Sequence, residues 1–87
     1  MQDYSIEYIS DWNINFIKFD KSVQEKILKK IAQLKLEISA RHLYYINCYV
    51  VEAGQYRIVF KTDERVLIRK IVFVGNHKQY EKWLGIK

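Results

Sequence analysis

Among the residues between Arg57 and Trp83, seven could do chemistry together, a guanidinium, three ammonium groups, an imidazole and two large rings: Arg57, Lys61, Lys70, His77, Lys78, Tyr80 and Trp83. The densest part is FVGNHKQYEKW, residues 73–83, which closes the last apolar run. Cations of this kind bind phosphate oxygens, and an imidazole gains or loses a proton near neutral pH. Together they can line a site for a phosphodiester. The plainer reading of the same stretch is the cap of a C-terminal helix, with no reactive role. The elements that would carry these residues must decide.

The sequence has 87 residues, enough for a single domain over 1–87 with little room for a second core. Hydrophobic residues make up 49% and charged residues 29%, the balance of a folded chain rather than a disordered one. Alternation at Tyr4, Ile6 and Tyr8 predicts a short first strand. Trp12, Phe16 and Phe19 recur at helical spacing and predict a helix over residues 11–19. Ser22 followed by Glu25 reads as a capping box that opens a second helix. Along it Val23, Ile27, Ile31, Leu34 and Ile38 form one apolar face, leaving Lys21, Lys26, Lys29, Lys30 and Lys35 mainly to solvent.

After Arg41 the period changes. Runs over 44–52, 55–61 and 66–74 are β-branched and aromatic, joined at Ala53-Gly54 and at residues 62–65. They predict three strands in an antiparallel meander, then a helix from about Asn76 to Leu84. The expected class is α+β, in the order β-α-α-β-β-β-α, with two N-terminal helices on one face of a small antiparallel sheet and a short C-terminal helix. A two-residue loop at 53–54 would set Val50 opposite Arg57 and Cys48 opposite Val59. The second turn would set Arg57 near Lys70 and Lys61 near Val66. Arg57, Lys61 and Lys70 then share a face, while Tyr49, Val51, Tyr56, Ile58, Phe60 and Leu67 occupy the other. Cations on such a face need solvent or an anion, because burying them unpaired is costly.

Fifteen Lys and Arg against ten Asp and Glu leave a net charge of +5, which suits a polyanion or an acidic protein partner. The single cysteine, Cys48, excludes an internal disulfide and a cysteine-built zinc site, and its apolar neighbours mark a buried, inert thiol. No apolar run approaches the roughly 18 residues that span a bilayer. The first residues lack the pattern of a signal peptide, so the expected location is the cytoplasm.

The element order, the GQYRIVF strand and the final strand running into GNHKQYEKW resemble the RelE/ParE superfamily, toxins of type II toxin–antitoxin systems, over nearly the whole chain. The NHKQY stretch looks closer to the HigB-like and YafQ-like branches, which place a His at this corner, than to RelE, which places an Arg. The resemblance implies a RelE-like fold and a metal-independent endoribonuclease without cofactor. Such an enzyme cuts mRNA in the ribosomal A site and is held inactive by a cognate antitoxin. Its chemistry directs the ribose 2′-hydroxyl onto the adjacent phosphate, which needs a base, cations on the phosphate and an acid for the leaving oxygen. Arg57 matches the family's phosphate-stabilising Arg, and His77 matches the general acid. Tyr80 or Trp83 matches the C-terminal aromatic that stacks on a base or aids proton transfer. Lys61, Lys70, Lys78, Trp83 and Arg41 are the expected substrate contacts.

Two positions depart from the family. Where RelE carries basic residues on the strand before the hairpin, this chain has Val50 and Glu52. Glu52 could act as the base, but Lys61, Lys70 or Arg41 must then replace the missing cations. The departure keeps two alternatives open: a ParE-like toxin that inhibits DNA gyrase by binding, and a degenerate module that binds only RNA or antitoxin. His42 has no motif around it and reads as a loop residue.

Overall fold

The computed structural model describes residues 3–36, 39–43 and 46–85. A five-stranded sheet in the order β1-β5-β4-β3-β2 forms the centre. It comprises β1 (Ser5–Tyr8), β2 (Arg41–Leu43), β3 (Cys48–Ala53), β4 (Tyr56–Asp63) and β5 (Ile68–Asn76). The meander from β2 to β5 is antiparallel, but β1 joins β5 in parallel, so the sheet is mixed. The edge strand β2 was not expected from the sequence. The capping-box helix of the sequence, α1, runs from Lys21 to Gln33, and α2 spans His77–Leu84.

Residues 11–19 do not form the expected helix. They make a run of turns ending in a short 3-10 segment, Phe16–Lys18. Asp11 adopts φ 70°, and Asn13 and Asn15 follow it; such side chains bond to nearby backbone and compete with helix. Asn15 instead donates to the carbonyl of Val74 at 3.1 Å. Trp12, Phe16 and Phe19 still pack on the core, so their spacing records burial rather than a helix.

The cap of α1 also differs. Asp20, not Ser22, is the N-cap: its carboxylate accepts from the Val23 amide at 3.0 Å and from the Ser22 hydroxyl at 2.8 Å. The bond from the Val23 amide, with Ser22, holds the Asp20 carboxyl below its ordinary range. A depressed carboxyl stabilises the fold above the ordinary carboxylate range, and the effect is lost as pH falls through the folded value. Asp20→Ala is expected to lower Tm by about 4–8 °C at neutral pH. The difference should shrink in acid, where a neutral carboxyl accepts more weakly; an equal loss at both pH values, in parallel melts, would assign it to something other than the carboxylate.

The sheet has a core on each face. Ile27 and Ile31 of α1, with Leu34 at its C-cap, pack on Val51, Ala53, Ile58, Phe60, Ile71 and Val74. On the other face Tyr80 of α2 packs with Leu43, Cys48, Val50 and Val59. The helices thus cover opposite faces. Arg69 is a buried cation beside the first core: it donates to the Leu34 and Leu36 carbonyls, both at 2.9 Å, and lies 3.9 Å over the Tyr4 ring. It closes the carboxyl end of α1, where orphan carbonyls need donors.

The register corrects the expected pairings. Ala53 pairs with Tyr56, so the first loop is Gly54-Gln55, Gly54 sits at φ 64°, and Glu52 rather than Val50 opposes Arg57. Val59 opposes Val50, not Cys48. In the second hairpin Asp63 pairs with Ile68, so Lys61 opposes Lys70 and Arg57 opposes Gly75. Leu67 lies in that turn at φ 55°, not on a strand face. A bulge in the β4–β5 pairing between Val59 and Phe60 absorbs one extra residue of β5, which locally sharpens strand twist. Ile38, Tyr44 and Tyr45, assigned above to a helix face and a strand, lie outside the described residues.

Candidate functional site

Because alternate residues share a face, Glu52, Arg57, Lys61 and Lys70 all project on the side that carries α2. The expected shared face therefore holds. It is not an open surface, since α2 lies across it and makes the second core.

Arg57 sits where β3, β4 and β5 meet. Its side chain is only 15% exposed, and its Nη2 lies 3.7 Å from Glu52 Oε2 and 3.4 Å from His77 Nδ1. Nη1 donates to the Gly54 and Tyr56 carbonyls, both at 3.4 Å. All four contacts are long against the usual 2.9 Å for such bonds. The guanidinium is positioned without being saturated, so an incoming phosphate oxygen can replace weak contacts with short charged ones.

His77 reaches Arg57 because no loop separates β5 from α2. Asn76 ends the strand and caps the helix, accepting from the Gln79 amide at 2.8 Å while the Gln79 side chain accepts from the Asn76 amide at 2.8 Å. This is a complete capping box. Gly75 has no room for a side chain: a Cβ there would lie 2.7 Å from the Phe73 ring and 3.0 Å from Gln79. The imidazole is exposed, and its Nε2 lies 2.9 Å from Glu81 Oε2, one helical turn on.

Tyr80 is buried in the second core, and its hydroxyl accepts from Arg41 Nη2 at 3.3 Å. Arg41 thereby ties the edge strand to α2. Val50 is buried against Val59 and cannot present a side chain to a substrate. Lys61 and Lys70 are exposed and directly opposed, an arrangement that costs stability without an anion between them. The ion pairs among the described residues are Arg57–Glu52, Arg65–Asp63 and His77–Glu81, none of which involves either lysine. Lys78 is exposed on the first turn of α2.

Farther along the same face a cleft of about 240 Å³ is lined by Ile46, Cys48, Lys61, Val72, Trp83 and Leu84. Trp83 is 38% exposed and stacks on Phe73, with centroids 5.0 Å apart. Burial pushes the Cys48 thiol up, against an opposing effect of Lys61, as fits an unreactive thiol. His42 lies in β2 rather than a loop and stacks on Tyr49 at 4.6 Å. Among the described residues no cluster of His, Cys, Asp and Glu could hold a metal ion, and no helix is long and apolar enough to cross a membrane.

The structure thus brings Arg57 and His77 together. It buries Tyr80 in the second core and leaves Lys61, Lys70 and Trp83 farther along the face. Sequence reasoning missed Glu81, although its spacing from His77, four residues along a helix, was the available signal. It also left Glu52 two residues out of register with Arg57.

No protein-family model matches the sequence, and no curated protein sequence matches it significantly. Solved structures do match in fold. The chain is similar to a chain of the toxin–antitoxin complex RelBE2 from Mycobacterium tuberculosis, with a TM-score of 0.79 and 15% identity over 88% of this chain and 94% of that one. It is similar to a mutant E. coli toxin RelE in the free state, with a TM-score of 0.73 and 20% identity over 94% and 92%. A chain of the archaeal RelE–RelB complex from Pyrococcus horikoshii follows, with a TM-score of 0.68 and 13% identity over 85% and 94%.

Proposed function

We propose that this chain, which has a RelE-like fold, is the toxin of a toxin–antitoxin pair and acts as an endoribonuclease on mRNA in the ribosomal A site. One observation carries the reading. A single guanidinium nitrogen, Arg57 Nη2, is flanked by the Glu52 carboxylate at 3.7 Å and the His77 imidazole at 3.4 Å. A phosphate held on Arg57 then has a carboxylate and an imidazole both near it, one to act as base and one as proton donor. Cleavage by the neighbouring 2′-hydroxyl requires such a pair.

In this reading Glu52 takes the 2′-hydroxyl proton, the 2′-oxygen bonds to phosphorus, and Arg57 holds the charge that gathers on the non-bridging oxygens. The P–O5′ bond breaks and His77 protonates the leaving oxygen. The products are a 2′,3′-cyclic phosphate and a 5′-hydroxyl. No step calls for a cofactor. The opposed Lys61 and Lys70 receive flanking phosphates, Lys78 adds charge near His77, and Trp83 offers a ring face to a base beside the cleft. Tyr80 and Arg41 act by fixing α2.

The solved relatives include complexes of RelE with RelB, which supports a protein antitoxin for this chain as well. With a net charge of +5, the expected antitoxin is acidic over its contact segment. Expression of the chain alone is expected to arrest growth, with cuts inside translated codons detected by primer extension. Co-expression of a small acidic protein encoded beside it is expected to restore growth. Normal growth at verified folded expression would remove the toxin reading. Arrest with intact mRNA would favour the gyrase-binding alternative, to which the buried Val50 at a usually basic position points.

A further inference from the structure

We infer that Glu81 is a positioning residue for His77: it fixes the ring with the proton on Nε2 and turns Nδ1 toward the phosphate site. The inference extends the endonuclease reading by naming the nitrogen that delivers the proton. It starts from what each neighbour can do. Arginine only donates hydrogen bonds, so Nδ1, 3.4 Å from Arg57 Nη2, must accept. An imidazole that accepts at Nδ1 while neutral carries its proton on Nε2. That nitrogen faces a carboxylate oxygen, Glu81 Oε2, at 2.9 Å, and a carboxylate only accepts. Both contacts therefore select the same tautomer, one from β4 and one from within α2.

The other charged groups near the ring agree. Glu52 on β3 is paired with Arg57 through the same Nη2 that meets His77, and Lys78 is exposed beside His77 on α2. When a phosphate takes over Arg57, Nδ1 loses its donor and takes up a proton from solvent, giving the imidazolium. Glu81 then faces the imidazolium across Nε2 and stabilises it. The proton passes from Nδ1 to the 5′-oxygen as the P–O5′ bond breaks, and the ring returns to its starting tautomer. The carboxylate stays in place throughout.

The test has two arms, on the full chain. In the first, ring ¹⁵N shifts of His77 are recorded at alkaline pH, where the ring is neutral, for the parent, Glu81→Gln and Glu81→Ala. The parent is expected to show an unprotonated Nδ1 and a protonated Nε2. Glu81→Gln should keep this pattern, since its amide oxygen still accepts, and Glu81→Ala should drift toward a mixture. A parent with the proton on Nδ1, or an alanine variant with unchanged shifts, overturns the inference. The pair is exposed and contributes little to stability, so both variants should fold.

The second arm is cleavage of translated mRNA. Glu81→Ala is expected to lower kcat about 10-fold or more with KM unchanged, and Glu81→Gln to fall between. A full rate in the alanine variant overturns the positioning role. Expected ring shifts in a parent that cuts no RNA would instead overturn the endonuclease reading and leave the tautomer assignment standing.

Discussion

Arg57→Ala is expected to cut RNA at least ~10²-fold more slowly than the parent while keeping its fold. The rate estimate is that for losing one preorganised donor to a transition-state oxyanion. The stability estimate comes from the contacts: two bonds to carbonyls at 3.4 Å and a pair to Glu52 at 3.7 Å. Bonds that long together contribute about 1 kcal/mol. Arg57→Lys should recover only part of the rate, because an ammonium restores charge without the planar fork that grips two phosphate oxygens. Cleavage rates and thermal melts on the same preparations decide the matter. A variant that unfolds, or that cuts at the parental rate, would make Arg57 structural or idle.

His77→Gln is expected to lower the rate about 10²–10⁴-fold, the range for a positioned proton donor. Folding should survive, since the capping box belongs to Asn76 and Gln79 and the ring is exposed. The loss should depend on the leaving group. With an RNA substrate whose scissile 5′-oxygen is replaced by sulfur, which leaves without protonation, the variant should approach the parent. An equal deficit on both substrates would mean that His77 binds the phosphate rather than supplying a proton.

The sequence disclosed the faces of this sheet better than its registers. Alternation put Arg57, Lys61 and Lys70 on one side, and they are there. The pairing was off because the loop is Gly54-Gln55 and because the β4–β5 turn sits two residues later than its polar residues suggest. Replacing Val50 by Glu52 opposite Arg57 moves the pairing by two residues. An even shift preserves the face while changing the neighbour. That is why the cationic face was legible and the Glu52–Arg57 pair was not.

The helices show a complementary limit. The apolar period of α1 was sound because Ile27, Ile31 and Leu34 face a core. The same spacing at Trp12, Phe16 and Phe19 did not yield a helix, since Asp11, Asn13 and Asn15 set the local backbone. The second core was harder to foresee. It needs Tyr80 to reach Cys48, Val50 and Val59 across the sheet, and only the placement of α2 on the opposite face from α1 reveals it.

The junction at Asn76 and His77 bears on how such a site can change over time. The pair Tyr56–Asn76 ends the ladder, and the next residue is already helical. The separation of Arg57 and His77 is therefore inherited from strand registration and helix phase, with no loop to buffer it. One residue inserted at this point would rotate the following positions by about 100° around the helix axis and swing the imidazole off the guanidinium. Point substitutions at exposed positions such as 77 leave that phase intact. Descendants of this chain can thus exchange the chemistry at position 77 side chain by side chain, but cannot change the length of the joint without losing the site.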